Sequence, residues 1–342
     1  MPRRSTRLSR GGGDGTAGDL SCHPSVIPHL LVTIESAHGI DALEEVAAVC
    51  QSWSKGVQLC QQIDTDPEQR FGELRSGDKP LRFDRPHGAV FLPNGEICVA
   101  DCDNFRLQIV TRDGVYVKDV RLSGGTSCPT GVAIDSSFFY VIEHGAHVLS
   151  KLKQTTSSGT RLCTAGGWGG GDGQLRHPWG VALARGRVYV SDGGNDRINV
   201  YDTDQLLFLF SFASRGCGHG ELRGPRGVAA SESELFVADS QNHRVQVYSL
   251  DDGSFVRTVG GGESSSLGRF KQPSGLTVRN GRLYVTEGAG ERMQVMGLDG
   301  QPMQAVSLGA GPLSGICADD EHVCVTALEG SAAISLLSLR SV

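Results

Sequence analysis

The chain has 342 residues, which suits two ordinary domains or one large repeat fold. Its 47 glycines, about 14% and roughly twice the usual share, stand beside 39% apolar and 20% charged residues, a balance that supports a sizeable core and excludes global disorder. The net charge of −6 argues against a surface that grips nucleic acid by charge alone. The longest apolar runs, such as 206–210, are strand-sized, so no membrane span is expected. Arg3, Arg4, Arg7 and Arg10 lead into glycines rather than an apolar stretch, which does not read as a secretory signal. The ten cysteines are therefore expected reduced, in cytoplasm or nucleus, most of them as small core residues. Cys98 and Cys102 lack a second pair at zinc-finger spacing.

In chain order, residues 1–23 are basic, then glycine-rich, and read as a disordered tail. Residues 24–55 change to helical spacing, with Leu43, Val46, Val49, Cys50 and Trp53 recurring every three or four positions. Asp41 and Glu44 suit a capping box at the start of a short α-helical segment. Ile27-Pro28-His29-Leu30-Leu31, followed by Leu43, Val46, Val49-Cys50 and Trp53, resembles an F-box, whose motif opens on Leu-Pro and closes on Leu, Val-Cys and Trp. That resemblance implies docking on the adaptor subunit of a cullin-type ubiquitin ligase through Leu30, Leu31, Leu43, Val46 and Trp53. The acidic residue that follows the proline in that motif is absent here, and the opening half is one residue short. The same apolar stripe also suits a helix that packs on the rest of the chain.

Residues 56–342 are organised by a repeat. Pro-x-Gly recurs at Pro86, Pro129, Pro178, Pro225 and Pro273, with a stretched copy at Pro312-Leu313-Ser314-Gly315; successive prolines lie 39 to 49 residues apart. Each is followed by an apolar run and then, in the first, third and fourth copies, by Asp101-x-x-Asn104-x-Arg106, Asp192-x-x-Asn195-x-Arg197 and Asp239-x-x-Asn242-x-Arg244. The fifth copy has Glu287 and Arg292 in those slots, the second keeps Glu143 alone, and the sixth has Ala327. Asn94-Gly95, Asn280-Gly281, Asp113-Gly114, Asp252-Gly253 and Asp299-Gly300 suit tight hairpins. Four antiparallel strands per unit and six units predict an all-β fold, a six-bladed β-propeller. The last unit has room for three strands, so a strand within 57–71 is expected to close the ring.

Pro-x-Gly-Val-Ala followed by Val-Ala-Asp-x-x-Asn-x-Arg-Val-Gln-Val resembles the NHL repeat and lacks the Trp-Asp and Gly-His marks of another propeller class. The residues copied in every blade read as structural, because catalysis rarely needs one set repeated around a ring. The varied residues read as a recognition face: His87, Thr130, Trp179, Arg226 and Ser274 inside Pro-x-Gly, with Phe105 and His243 in the second loop. No catalytic residue, metal ligand or cofactor is assigned. The expected function is a non-catalytic interaction scaffold, the substrate-recognition subunit of a ubiquitin ligase that holds a protein target on this face. Two alternatives stay open. NHL-like amidating lyases hold zinc through histidines, for which His87, His144, His147 and His177 are candidates. Some NHL propellers bind RNA, but from residue 81 onward the acidic residues outnumber the basic ones. The run 166–171 lacks the Gly-Lys-Ser/Thr of a phosphate loop and reads as a linker.

Overall fold

A computed structural model describes residues 62–63, 67–75, 77, 79–122, 127–154, 160–309, 311–330 and 333–340. The helical segment, with Leu30, Leu31, Leu43, Val46 and Trp53, lies outside them. Blade 1 is built from Pro86–Phe91, Ile97–Asp101, Arg106–Val110 and Tyr116–Arg121, hydrogen-bonded in that order from the centre outward. Blades 2 to 5 repeat this antiparallel four-strand plan from Pro129, Pro178, Pro225 and Pro273. Blade 6 takes Leu313–Ala318, His322–Ala327 and Ile334–Arg340 from the end of the sequence. Its outer edge is supplied by Gln62–Ile63 and Gln69–Phe71, which pair antiparallel with Ile334–Arg340. The chain is an all-β, six-bladed propeller whose first strands complete its last blade.

Proline opens the inner strand of blades 1 to 5 because a strand's first residue need not donate to the ladder. The glycine two residues on is required by the ring. A Cβ on Gly88, Gly131, Gly180, Gly227, Gly275 or Gly315 would lie within 2.7 Å of the carbonyl oxygen of Thr130, Trp179, Arg226, Ser274, Ser314 or His87, respectively. Each inner strand thus touches the next blade's backbone, and the sixth contact returns to the first blade.

Asp101, Glu143, Asp192, Asp239 and Glu287 face the opening prolines of their own blades in the ladder, so both sequence signals lie at one end of every sheet. The Asp-x-x-Asn-x-Arg residues are structural. Asp101 accepts from Asp84 N–H at 2.7 Å, Asn104 Nδ2 at 2.9 Å and Arg106 Nε at 2.7 Å. Asp192 and Asp239 repeat the pattern with Arg176 and Arg223 N–H. Each carboxylate therefore ties its turn to the link two residues before its blade's proline. Burial pushes all three carboxyls up from their ordinary value while these hydrogen bonds oppose the shift. Glu287 does the same work with Lys271 N–H, Arg292 and Gln294. In blade 2, which lacks the arginine of the turn, Arg161 from the outer strand reaches Glu143 at 2.8 Å.

Six hydrophobic clusters among the described residues each bridge two neighbouring blades. Leu107 and Ile109 of blade 1 pack with Phe139 and Val141 of blade 2, for example, and Ile63 joins the cluster between blades 5 and 6. Phe83, Leu175, Leu222 and Phe270, each three residues before a proline, anchor the links and are fully buried. Cys98, Cys317 and Cys324 are buried thiols, but Cys102 and Cys128 form a disulfide, where the sequence reading expects reduced cysteines. Among the described residues no helix is long and apolar enough to cross a membrane.

Candidate functional site

The end of the ring that carries Pro-x-Gly and the second loops is the candidate interface. Its second-loop position is more regular than its chemistry suggests. Phe105, His147, Asp196, His243 and Glu291 all sit at left-handed φ between 52° and 58°. Three of them accept the N–H of the residue just before the next blade's proline. His177 N–H donates to His147 Nδ1 at 3.1 Å, Gly224 N–H to Asp196 Oδ1 at 2.7 Å and Gln272 N–H to His243 Nδ1 at 3.2 Å. Phenylalanine cannot accept, and in blade 1 the same place, Cys128 before Pro129, is held by the disulfide from Cys102. His243 is therefore a clasp between blades rather than a free contact. Phe105, released from that duty, is 38% exposed.

The Pro-x-Gly positions divide into two groups. His87, Thr130 and Ser274 are only 2%, 3% and 2% exposed, which removes them from direct contact with a partner. Their strand passes under the next blade's backbone at the glycine, and this draws the preceding side chain inward. Thr130 Oγ1 donates to Trp179 O at 3.0 Å, and His87 Nδ1 shares a 2.6 Å hydrogen bond with Ser314 Oγ. Burial holds His87 neutral, its pKa lowered to about 3. Trp179 and Arg226 are half-buried and meet at the centre. The Trp179 ring packs edge-on to His87 at 4.8 Å and His144 at 5.4 Å between centroids, and the Arg226 guanidinium carbon lies 4.9 Å from its centroid. Four blades thus converge on one indole. Behind it lies the central channel, about 260 Å³, with Val90, Ile134, Leu183 and Val278 along its wall.

Beside this centre is a patch that sequence reasoning passed over. Trp168, inside the glycine run taken for a linker, is 58% exposed. Gly166, Gly167 and Gly169 at positive φ flank it, and the strand-like bridge to Leu175 fixes its place. His147 and His177 stand edge-on to its ring at 4.8 and 5.6 Å, and the Arg176 guanidinium lies 5.0 Å from it. His144, His147 and His177 cluster with centroids 4.8 to 6.5 Å apart. His144 donates Nδ1–H to Pro178 O at 3.0 Å, which leaves its Nε2 bare, whereas His147 accepts at Nδ1 and carries its proton on Nε2. Burial lowers the pKa of both; neighbouring positive charge adds to this at His147, while at His144 the hydrogen bond to Pro178 opposes it.

Among the described residues, the group with three potential metal-ligand atoms within 4.8 Å of one another is Cys102, Asp103 and Cys128, two of which are joined in the disulfide. The four histidines considered for zinc do not form such a group. An exposed tryptophan in a glycine loop was the one signal that could have pointed to the patch.

Comparison with known proteins fits this architecture. The family described as NHL repeat matches residues 83–110, 175–201 and 222–248, which run through the inner three strands of blades 1, 3 and 4. The Caenorhabditis elegans protein lin-41 is 46% identical over 44 residues, a match that spans 13% of this chain and 4% of that protein. Among solved structures, a Bacteroides thetaiotaomicron protein of unknown function aligns with a TM-score of 0.61 and 19% identity, over 82% of this chain and 76% of that one. A gluconolactonase from Xanthomonas campestris aligns with a TM-score of 0.59 and 18% identity, over 81% and 96%. A virginiamycin B lyase from Staphylococcus aureus aligns at 0.52 and 14%, over 82% and 99%. At these identities the likeness is one of fold. The chain carries NHL repeats on a six-bladed β-propeller.

Proposed function

We propose that this propeller recognises a protein target on the face that carries Trp168, Trp179 and Arg226, and that the chain serves as the substrate-recognition subunit of a ubiquitin ligase complex. The observation that carries the first half is the convergence of an exposed tryptophan, a half-buried tryptophan and three arginines, Arg85, Arg176 and Arg226, around one centre. Aromatic residues and arginine dominate the energetics of protein interfaces. The repeated polar residues and most of the varied ones are consumed in holding the blades together, which leaves Trp168, Trp179, Arg226 and Phe105 for recognition. The second half rests on the F-box-like residues 27–53 and on the expectation of a place in cytoplasm or nucleus. In this reading the chain is a non-catalytic subunit. The histidine geometry gives the zinc-lyase alternative little support.

The test is affinity capture with the full chain, Trp53→Ala and Trp168→Ala, each checked for folding by thermal denaturation. Trp53→Ala should lose the cullin adaptor and keep the target. Trp168→Ala should lose the target and keep the adaptor. Failure of the folded full-length chain to bind any adaptor would sink the ligase assignment, and targets retained equally by Trp168→Ala would sink the face.

A further inference from the structure

Arg226 stands apart from the other arginines of the repeat. Arg106, Arg197, Arg244 and Arg292 each hold a carboxylate at 2.7 to 2.9 Å and donate to backbone carbonyls of the adjoining link. The carbonyl of Arg226 accepts from Ser191 Oγ, but its guanidinium makes no hydrogen bond or ion pair with any described residue. The guanidinium lies between the indole of Trp179, 4.9 Å from its centroid, and the backbone at Gly288 of blade 5. A half-buried cation with no protein acceptor is partnered by water alone, and burial lowers its pKa.

The surroundings make the deficit larger. The charges that bear on His87, at the centre, come from Arg85, Arg226 and His144; those on His144 come from His177 and Arg85; Arg176 adds to His147. None of these is a carboxylate. Arg85 has an acceptor in Asp103 at 3.4 Å; Arg176 lies over Trp168 and is exposed to solvent, whereas Arg226 is half-buried beside His87 and Trp179. The guanidinium lies 4.9 Å from the Trp179 centroid and is half-buried rather than sealed, and an arginine fork so placed can donate two parallel hydrogen bonds to a carboxylate.

We propose that the centre of this face takes an acidic side chain, a glutamate or aspartate presented by a protein segment, with Arg226 as its guanidinium partner, Trp179 against its apolar stem and Trp168 against a neighbouring residue of that segment. The inference rests on the protein-recognition reading and specifies the partner's chemistry. The rim favours a single carboxylate over a polyphosphate. Asp196, which also pairs with Arg215, and Glu263 and Glu291 lie around the second loops and links of blades 3 to 5, so the rim is of mixed charge. A nucleic-acid backbone crossing the face would meet them in succession, whereas one carboxylate enters between them.

The test uses the full-length chain and two fluorescein-labelled degenerate nonapeptide libraries, one with Glu fixed at the centre and one with Gln, compared by fluorescence polarisation. The Glu library should bind about tenfold more tightly than the Gln library, the scale of one charged hydrogen-bond pair. Arg226→Gln should erase that preference. Arg226→Lys, which keeps the charge but not the fork, should retain only part of it and serves if the glutamine variant does not fold. Equal binding of the two libraries, no binding of either, or a preference that survives Arg226→Gln overturns the proposal. So does a random RNA dodecamer that binds more tightly than the Glu library and is lost in Arg226→Gln. Target capture that depends on Trp168 but not on Arg226 would leave the recognition face standing and this inference refuted.

Discussion

A single buried histidine couples the centre of the ring to pH. His87 faces Ser314 Oγ and the Trp179 ring, with the charges of Arg85, Arg226 and His144 nearby, and has almost no solvent contact. Its pKa falls from 6.5 to about 3 on folding. A depressed folded value means that the unfolded chain binds the proton first. The contribution is complete above pH 6.5 and is lost as pH falls toward 3. At pH 5 the loss amounts to about 2 kcal/mol. The buried carboxyls of Asp101, Asp192 and Asp239 are shifted upward and pull the other way, so the informative quantity is a difference. Denaturant unfolding of wild type and His87→Gln at pH 7.5 and 5.0 should show wild type losing about 2 kcal/mol more than the variant. Parallel losses would show that His87 takes a proton inside the fold.

At the scale of the element, the links between blades decide what the second loops do. Phe105, His147, Asp196 and His243 look like free variation, yet backbone geometry gives His147, Asp196 and His243 one shared task, accepting a pre-proline N–H. Blade 1 substitutes a covalent bond, Cys102–Cys128, with a sequence separation of 26. A loop of that length restricts the unfolded chain enough to stabilise the fold by about 3 kcal/mol. Cys128→Ser, or reduction of wild type, should therefore lower the unfolding free energy by about that much, and reductant should leave the variant unchanged. Alkylation of the denatured, unreduced protein should miss both thiols; labelling of both would show the pair to be open.

At the scale of the molecule, stability depends on a closure that no single blade contains. Ile334–Arg340 has its outer edge covered only by Gln62–Ile63 and Gln69–Phe71 among the described residues. An uncovered edge is a template for pairing with another chain. Deletion of residues 1–71 should therefore produce oligomers in light scattering after gel filtration. Deletion of residues 1–55, which leaves both closing strands in place, should not. Identical elution of the two would mean that the last blade is stable with three strands.

Much of this architecture is local and therefore legible in one dimension. Proline at the start of each inner strand, Asn280-Gly281 with both residues at positive φ, and Asp-x-x-Asn-x-Arg all act within one blade or its entry link. Their spacing alone determines blade number, strand order and the end of the sheets they share. The site is another matter. His87, Thr130 and Ser274 hold the same repeat position as Trp179 and Arg226, and only the ring's curvature, with each glycine against the next blade's carbonyl, decides which side chains sink and which stay at the surface. Trp168 and His177, which stand in the link before blade 3, are brought beside the Trp179 and Arg226 positions by the path of that link, which the repeat does not specify. The amino-acid sequence by itself determined the propeller, because its signals are short-range hydrogen bonds and backbone angles. The tertiary structure alone decided the face, because burial and charge there arise from blades that meet only when the ring closes.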